Sequence, residues 1–142
     1  MGGFLIKFIT MKKIILFSFI TVFIISCDKN PENIESELVG KWILKEVLQD
    51  PGDGSGVYRP ATSNKIIEFY ASGVITSNGS LCNMSAETAY PETGTYSLAD
   101  STITAPACSQ MFFNLRFRQV GSVLYIYYPC IEGCSEKYLK LK

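Results

Sequence analysis

The fold of this chain is decided by one stretch, Val39-Gly40-Lys41-Trp42-Ile43-Leu44-Lys45-Glu46-Val47-Leu48. Its side chains alternate with the period of two that characterises a β-strand with one buried face. The face that carries the tryptophan consists of Trp42, Leu44, Glu46 and Leu48. This register predicts that Glu46 points inward. A buried carboxylate is costly unless it is paired or reaches water at the mouth of the fold.

Seven further segments show the same alternation and are separated by turn residues such as Ser72-Gly73 and Gly121-Ser122. They cover residues 65–71, 74–77, 94–98, 102–105, 113–118, 123–128 and 136–141. Eight short strands with tight connections and no evident helix favour an antiparallel up-and-down barrel, with a β-sandwich as the competing architecture. Closure into a barrel removes the exposed sheet edges. We therefore predict an all-β, eight-stranded antiparallel barrel, and we expect a monomer.

The first 26 residues differ from the rest because they are almost entirely apolar. Lys12 and Lys13 precede a twelve-residue apolar stretch, residues 14–25. A helix of that length reaches only about 18 Å, well short of the ~30 Å hydrocarbon core of a bilayer. Residues 1–26 are therefore interpreted as a signal peptide. Whether the natural start is Met1 or Met11 stays open.

The end of the leader, Ile24-Ile25-Ser26-Cys27, resembles the lipobox of bacterial lipoproteins. The resemblance implies cleavage before Cys27 and attachment of diacylglycerol and a further acyl chain, such as palmitate, to that cysteine. Two or more chains make membrane anchoring stable. The polar residues 27–37 then form a tether, and residues 38–142 form the folded domain. The expected location is the cell envelope, and the outer membrane is favoured.

The Gly40-Lys41-Trp42 motif at the start of the first strand resembles the opening motif of lipocalin-like domains. In that family the tryptophan plugs the closed end of the barrel, and the last strand of this chain offers Lys137 or Lys140 to cover it. Ligand binding does not follow from such a fold alone, so a small apolar ligand in the lumen is one hypothesis. The candidate lining residues are Trp42, Leu44, Glu46, Ile67, Phe69, Phe117 and Leu124.

Four cysteines remain once Cys27 is assigned to the lipid, and an even number in an exported domain favours disulfides. The expected pairs are Cys82 with Cys108 and Cys130 with Cys134, among three possible connectivities. Zinc is the competing interpretation, but the chain has no histidine and no Cys-x-x-Cys motif. No metal or other cofactor is expected.

The absence of histidine excludes Ser-His-Asp and Cys-His catalysis, so no enzymatic activity is expected. Three of the 13 basic residues lie in the leader, which leaves ten against 13 acidic residues and no basic patch for nucleic acid. The loop from Asp50 to Gly56 is typical of turns, and a Ca²⁺ site is the alternative.

Two hypotheses for function remain from the sequence. One is a membrane-anchored carrier of a small apolar ligand. The other is an anchored protein with a filled barrel that acts through its exterior on an envelope partner, as an interaction or inhibitor module.

Overall fold

The computed structural model describes residues 37–108 and 114–142. The predicted signal peptide, Cys27, most of the tether and Phe113 lie outside these residues. The described chain forms the strands β1 (Gly40–Gln49), β2 (Arg59–Pro60), β3 (Ile66–Phe69), β4 (Val74–Ser77), β5 (Glu92–Ser97), β6 (Thr102–Thr104), β7 (Leu115–Val120), β8 (Val123–Tyr127) and β9 (Cys134–Lys140). A short 3-10 helix, Pro106–Cys108, follows β6. No helix in these residues is long and apolar enough to cross a bilayer.

The sheet closes on itself, because β1 pairs with β3 on one side and with β9 on the other. All the pairings are antiparallel, and the five strands between β3 and β9 follow in sequence order. The predicted eight-stranded antiparallel barrel is confirmed. The two-residue β2, which the sequence did not indicate, pairs with the second half of β1 beside β3. It is too short to show a recognisable alternation.

The two ends of the barrel differ in their connections. The turn end carries three tight connections, residues 70–73, 98–101 and 121–122, and the chain also enters β1 there. Gly73 and Ser101 both adopt positive φ angles in these turns, 81° and 54°. The loop end carries the longer connections, which are residues 50–58, 61–65, 78–91 and 128–133 and the described part, residues 105–108 and 114, of the connection from β6 to β7.

Trp42 lies at the turn end of the interior and is fully buried. Its indole Nε1 donates a hydrogen bond to the Leu38 carbonyl (2.8 Å), and the Lys140 ammonium lies 5.4 Å from the ring centroid. The Lys140 ammonium also donates to the Glu37 carbonyl. Lys140, one of the two lysines considered in the last strand, therefore covers this tryptophan.

A β-bulge in β1 corrects the predicted orientation of Glu46. The pairing with β9 shifts register between Leu44 and Glu46, so the alternation reverses after Lys45. Val47 packs against the core in place of Glu46. Glu46 instead lies on the outer wall, with its carboxylate 2.9 Å from the Lys137 ammonium. The prediction that Glu46 lines the lumen is wrong.

Replacing Trp42 tests how much the turn end depends on this side chain. Trp42→Ala should lower the free energy of unfolding by about 3–5 kcal/mol, because it leaves a large cavity and an unpaired carbonyl. Urea denaturation with both disulfides intact measures this. Ile131→Ala, at a fully exposed position, is the control and should cost less than about 0.5 kcal/mol. A cost below about 1 kcal/mol for Trp42→Ala would contradict this role.

Candidate functional site at the loop end

Both predicted disulfides are present, and both lie at the loop end. Cys82 bonds to Cys108, which ties the 78–91 loop to the 3-10 helix after β6. Cys130 bonds to Cys134 and closes a five-residue loop between β8 and β9. Cross-links of this kind restrict the unfolded chain and hold loops in fixed geometry. The loop end is therefore built from constrained segments.

The Asp50 to Gly56 loop is held by its own aspartates. The Asp50 carboxylate accepts hydrogen bonds from the backbone N–H groups of Gly52 (2.8 Å), Gly54 (3.1 Å) and Gly56 (2.9 Å). These bonds, with that of Gly52 first, lower the pKa of Asp50. A Cβ at Gly56 would lie 2.7 Å from the Asp50 carboxylate, so only glycine fits. This geometry supports the turn interpretation of the loop.

Within residues 37–108 and 114–142, no group of three or more His, Cys, Asp or Glu residues is placed to hold a metal ion. The aspartate oxygens of the Asp50 to Gly56 loop are instead engaged with backbone donors.

This aspartate loop and the disulfide-closed loop are joined to each other. The backbone N–H of Asp50 donates to the Gly133 carbonyl (2.9 Å). Tyr58 fixes the other end of the aspartate loop to the barrel wall through a 2.7 Å hydrogen bond between its hydroxyl and that of Ser135. The Tyr58 ring also lies 5.9 Å from Tyr125. The two loops thus form one platform, residues 50–58 and 128–134, which we call the paired loops.

The most exposed large apolar side chains of the described chain lie at this end. Ile131, at the tip of the disulfide-closed loop, is 100% exposed, Tyr90 is 74% exposed and Val57 is 61% exposed. Asp53, Glu87 and Glu132 are exposed on the same loops. Apolar side chains presented from constrained loops are typical of protein-recognition surfaces.

Beneath the loops the barrel interior is closed by a buried polar network. The Lys65 ammonium lies 3.0 Å and 3.1 Å from the two carboxylate oxygens of Glu136, and both side chains are completely buried. The hydroxyls of Tyr128 and Tyr138 each donate to the same carboxylate at 2.6 Å. Gly79 of the 78–91 loop packs against the Lys65 side chain, since a Cβ at this position would lie 3.5 Å from Lys65 Cγ.

The electrostatics of the network follow from its burial. Desolvation lowers the pKa of Lys65, and the charge of Glu136 opposes that change. Burial also raises the pKa of both Tyr128 and Tyr138 well above the usual value, so their hydroxyls stay protonated and act as donors. The Glu136 carboxylate is thus satisfied by one cation and two neutral donors.

The remaining predicted lumen residues all face inward and are buried: Trp42, Leu44, Ile67, Phe69, Phe117 and Leu124. They belong to one continuous apolar cluster. Within it the Phe69 ring lies 5.0 Å from Tyr96 and 5.8 Å from Phe117. Their packing against one another is observed, and their contact with a ligand stays a prediction.

An open groove of about 470 Å³ lies on the barrel wall formed by β4, β5 and β6. Its lining is mostly apolar and consists of Val74, Thr93, Gly94, Thr95, Thr104, Ala105 and Pro106. The lining contains none of the predicted lumen residues, so it is separate from the predicted ligand site.

The sequence interpretation missed the Lys65–Glu136 pair, although a signal was present. Lys65 has the same parity as Ile67 and Phe69, and Glu136 the same as Tyr138. Strict alternation therefore places both charges inward, where opposite charges are expected to pair.

Comparison with protein-family models, with curated proteins and with solved structures finds no match for this chain.

The Lys65–Glu136 pair gives a test by double substitution. Lys65→Met leaves a buried carboxylate without its cation and should cost about 3–5 kcal/mol of unfolding free energy. Adding Glu136→Gln should recover at least about 2 kcal/mol of that loss, because the unpaired charge is removed. Urea unfolding measures each variant, with the exposed Lys45→Met as a matched control. Purely additive costs would contradict a direct interaction.

Proposed function

We propose that this protein is an envelope lipoprotein, anchored through Cys27, whose filled barrel displays its loop end to another protein. The observation that carries the proposal is the packing of the interior. From Trp42 at the turn end to the Lys65–Glu136 pair at the loop end, its axis is occupied by the protein's own buried side chains. An eight-stranded barrel is just wide enough to be filled in this way.

The buried ion pair argues against an apolar carrier at the loop end. An apolar molecule entering there would have to displace the 78–91 loop and contact two charges that are already fully paired. Separating such a pair leaves uncompensated charge in a low-dielectric interior, which is strongly unfavourable. The filled-barrel hypothesis is therefore preferred over the carrier hypothesis.

The paired loops supply what a recognition surface needs. Ile131 is held at the tip of a closed five-residue loop, so little conformational freedom remains to be lost when a partner binds. Val57 projects from the adjoining loop, and Asp53 and Glu132 supply acidic charge nearby. The partner that suits this surface is a protein with an apolar pocket bordered by basic side chains.

Membrane anchoring is supported by the leader and by the Ser26-Cys27 junction. Its direct check is palmitate labelling in a bacterial host. Cys27→Ala should abolish palmitate incorporation and release the protein from the membrane fraction. Continued palmitate incorporation and continued membrane association in this variant would contradict the anchor.

Site-specific crosslinking in cells tests the display role. A photoreactive amino acid at Val57 should give one discrete covalent adduct. Ile131→Asp in the same chain should reduce that adduct about tenfold or more, because loss of a central apolar contact typically costs about 2 kcal/mol of binding. Thr95→Asp, at an exposed position on the barrel wall between the two ends, is the control and should leave the adduct unchanged. Absence of any adduct, or equal loss in both variants, would contradict the proposal.

A further inference from the structure

The turn end of the barrel exposes apolar side chains along one half of its rim. Val120 is 50% exposed, Tyr70 is 40% exposed, and Leu139 and Leu141 are each 38% exposed. Val120, Leu139 and Leu141 lie on or directly beside β7 and β9, which both pair with β8, and Tyr70 follows β3 on the far side of β1. The four side chains are therefore spread over the half of the rim that runs from β7 to β3, which we call the apolar rim.

Basic side chains lie between these apolar residues. Lys41, Arg118, Lys140 and Lys142 lie along the same arc and outnumber its two carboxylates, Glu37 and Glu68, whereas Asp100 lies in the turn on the other half of the rim. Lys41 lies 3.8 Å from Glu68. Neither Arg118 nor Lys142 forms an ion pair with any residue of the described chain. Apolar side chains interspersed with basic ones suit the interface of a bilayer that contains anionic lipids.

The loop end has the opposite charge. Asp50, Asp53, Glu87 and Glu132 lie on its loops, and the exposed basic residues beside them are Arg59 on β2 and Arg116 at the start of β7. An anionic membrane surface would attract the turn end and repel the loop end. The charge distribution therefore selects one orientation of the barrel.

Chain connectivity leads to the same orientation. The chain enters β1 at the turn end, beside Lys140, whose ammonium bonds to the Glu37 carbonyl. Residues 27–36 would reach about 35 Å at most when fully extended. A lipid on Cys27 therefore keeps the apolar rim within reach of the bilayer.

We propose that the apolar rim lies against the headgroup region of an anionic bilayer, so that the paired loops face away from it. The proximity argument rests on the proposed Cys27 anchor, whereas the apolar and charge arguments do not. In this arrangement Arg118 and Lys142 contact lipid phosphates, and Val120 and Leu141 enter the interface.

Two matched labels test the orientation on the protein purified from the membrane. Val120→Cys and Val57→Cys each add one free thiol, because the four other domain cysteines are in disulfides. Each thiol is labelled with an environment-sensitive fluorophore. The labelled proteins are bound to vesicles of phosphatidylcholine alone, or to vesicles with about one quarter phosphatidylglycerol, both containing a lipid-attached quencher.

The label at position 120 should be quenched at least about twofold more than the label at 57 in the anionic vesicles. Arg118→Glu with Lys142→Glu should reduce that ratio, as should about 1 M salt, where screening acts within about 3 Å. Equal quenching at the two positions would overturn the proposal. The ratio is read on vesicle-bound protein, while intact mass reports separately whether Cys27 carries lipid, so failure of the anchor and failure of the orientation are distinguished.

Discussion

The pairing of β1 with β9 is the constraint on which the rest of the structure depends. It closes the sheet and thereby defines an interior that must be filled. The bulge within this pairing determines which side chains enter that interior. Because the alternation reverses after Lys45, Val47 turns inward and Glu46 turns outward to Lys137. Glu136 lies opposite Val47 in the same ladder, which directs its carboxylate to Lys65.

The two ends of the barrel then take different roles. The turn end is closed mainly by residues of the strands, because its connections are short. Trp42 on β1 fills the interior there, with Lys140 of β9 over its ring and the Leu38 carbonyl accepting its hydrogen bond. The longer connections at the other end need additional constraints, which the disulfides and the Asp50 carboxylate supply. Exposed apolar side chains occur at both ends, but with opposite surrounding charge. This asymmetry underlies both the proposed display role and the proposed membrane orientation.

Most of the fold was predictable from the sequence because alternation and turn residues are local signals. Val74–Ser77 was predicted with the bounds observed, and both disulfide pairs were anticipated. The bulge was not predicted, because a single extra residue in one strand of a pair has no local sequence pattern of its own. Its only trace in the sequence was a glutamate at a position expected to lie in the core. The platform of paired loops depends on contacts between distant segments, such as Asp50 with Gly133, which no local pattern reveals.

The central claim is that the protein's own side chains fill the barrel, so that function resides on its surface. Native mass spectrometry of the protein, released from the membrane of its host under mild conditions, tests this most directly. If the barrel is filled, the expected mass is that of the lipidated chain with both disulfides formed and no other molecule bound. A stoichiometric small molecule that dissociates only on denaturation would contradict it and would establish a carrier.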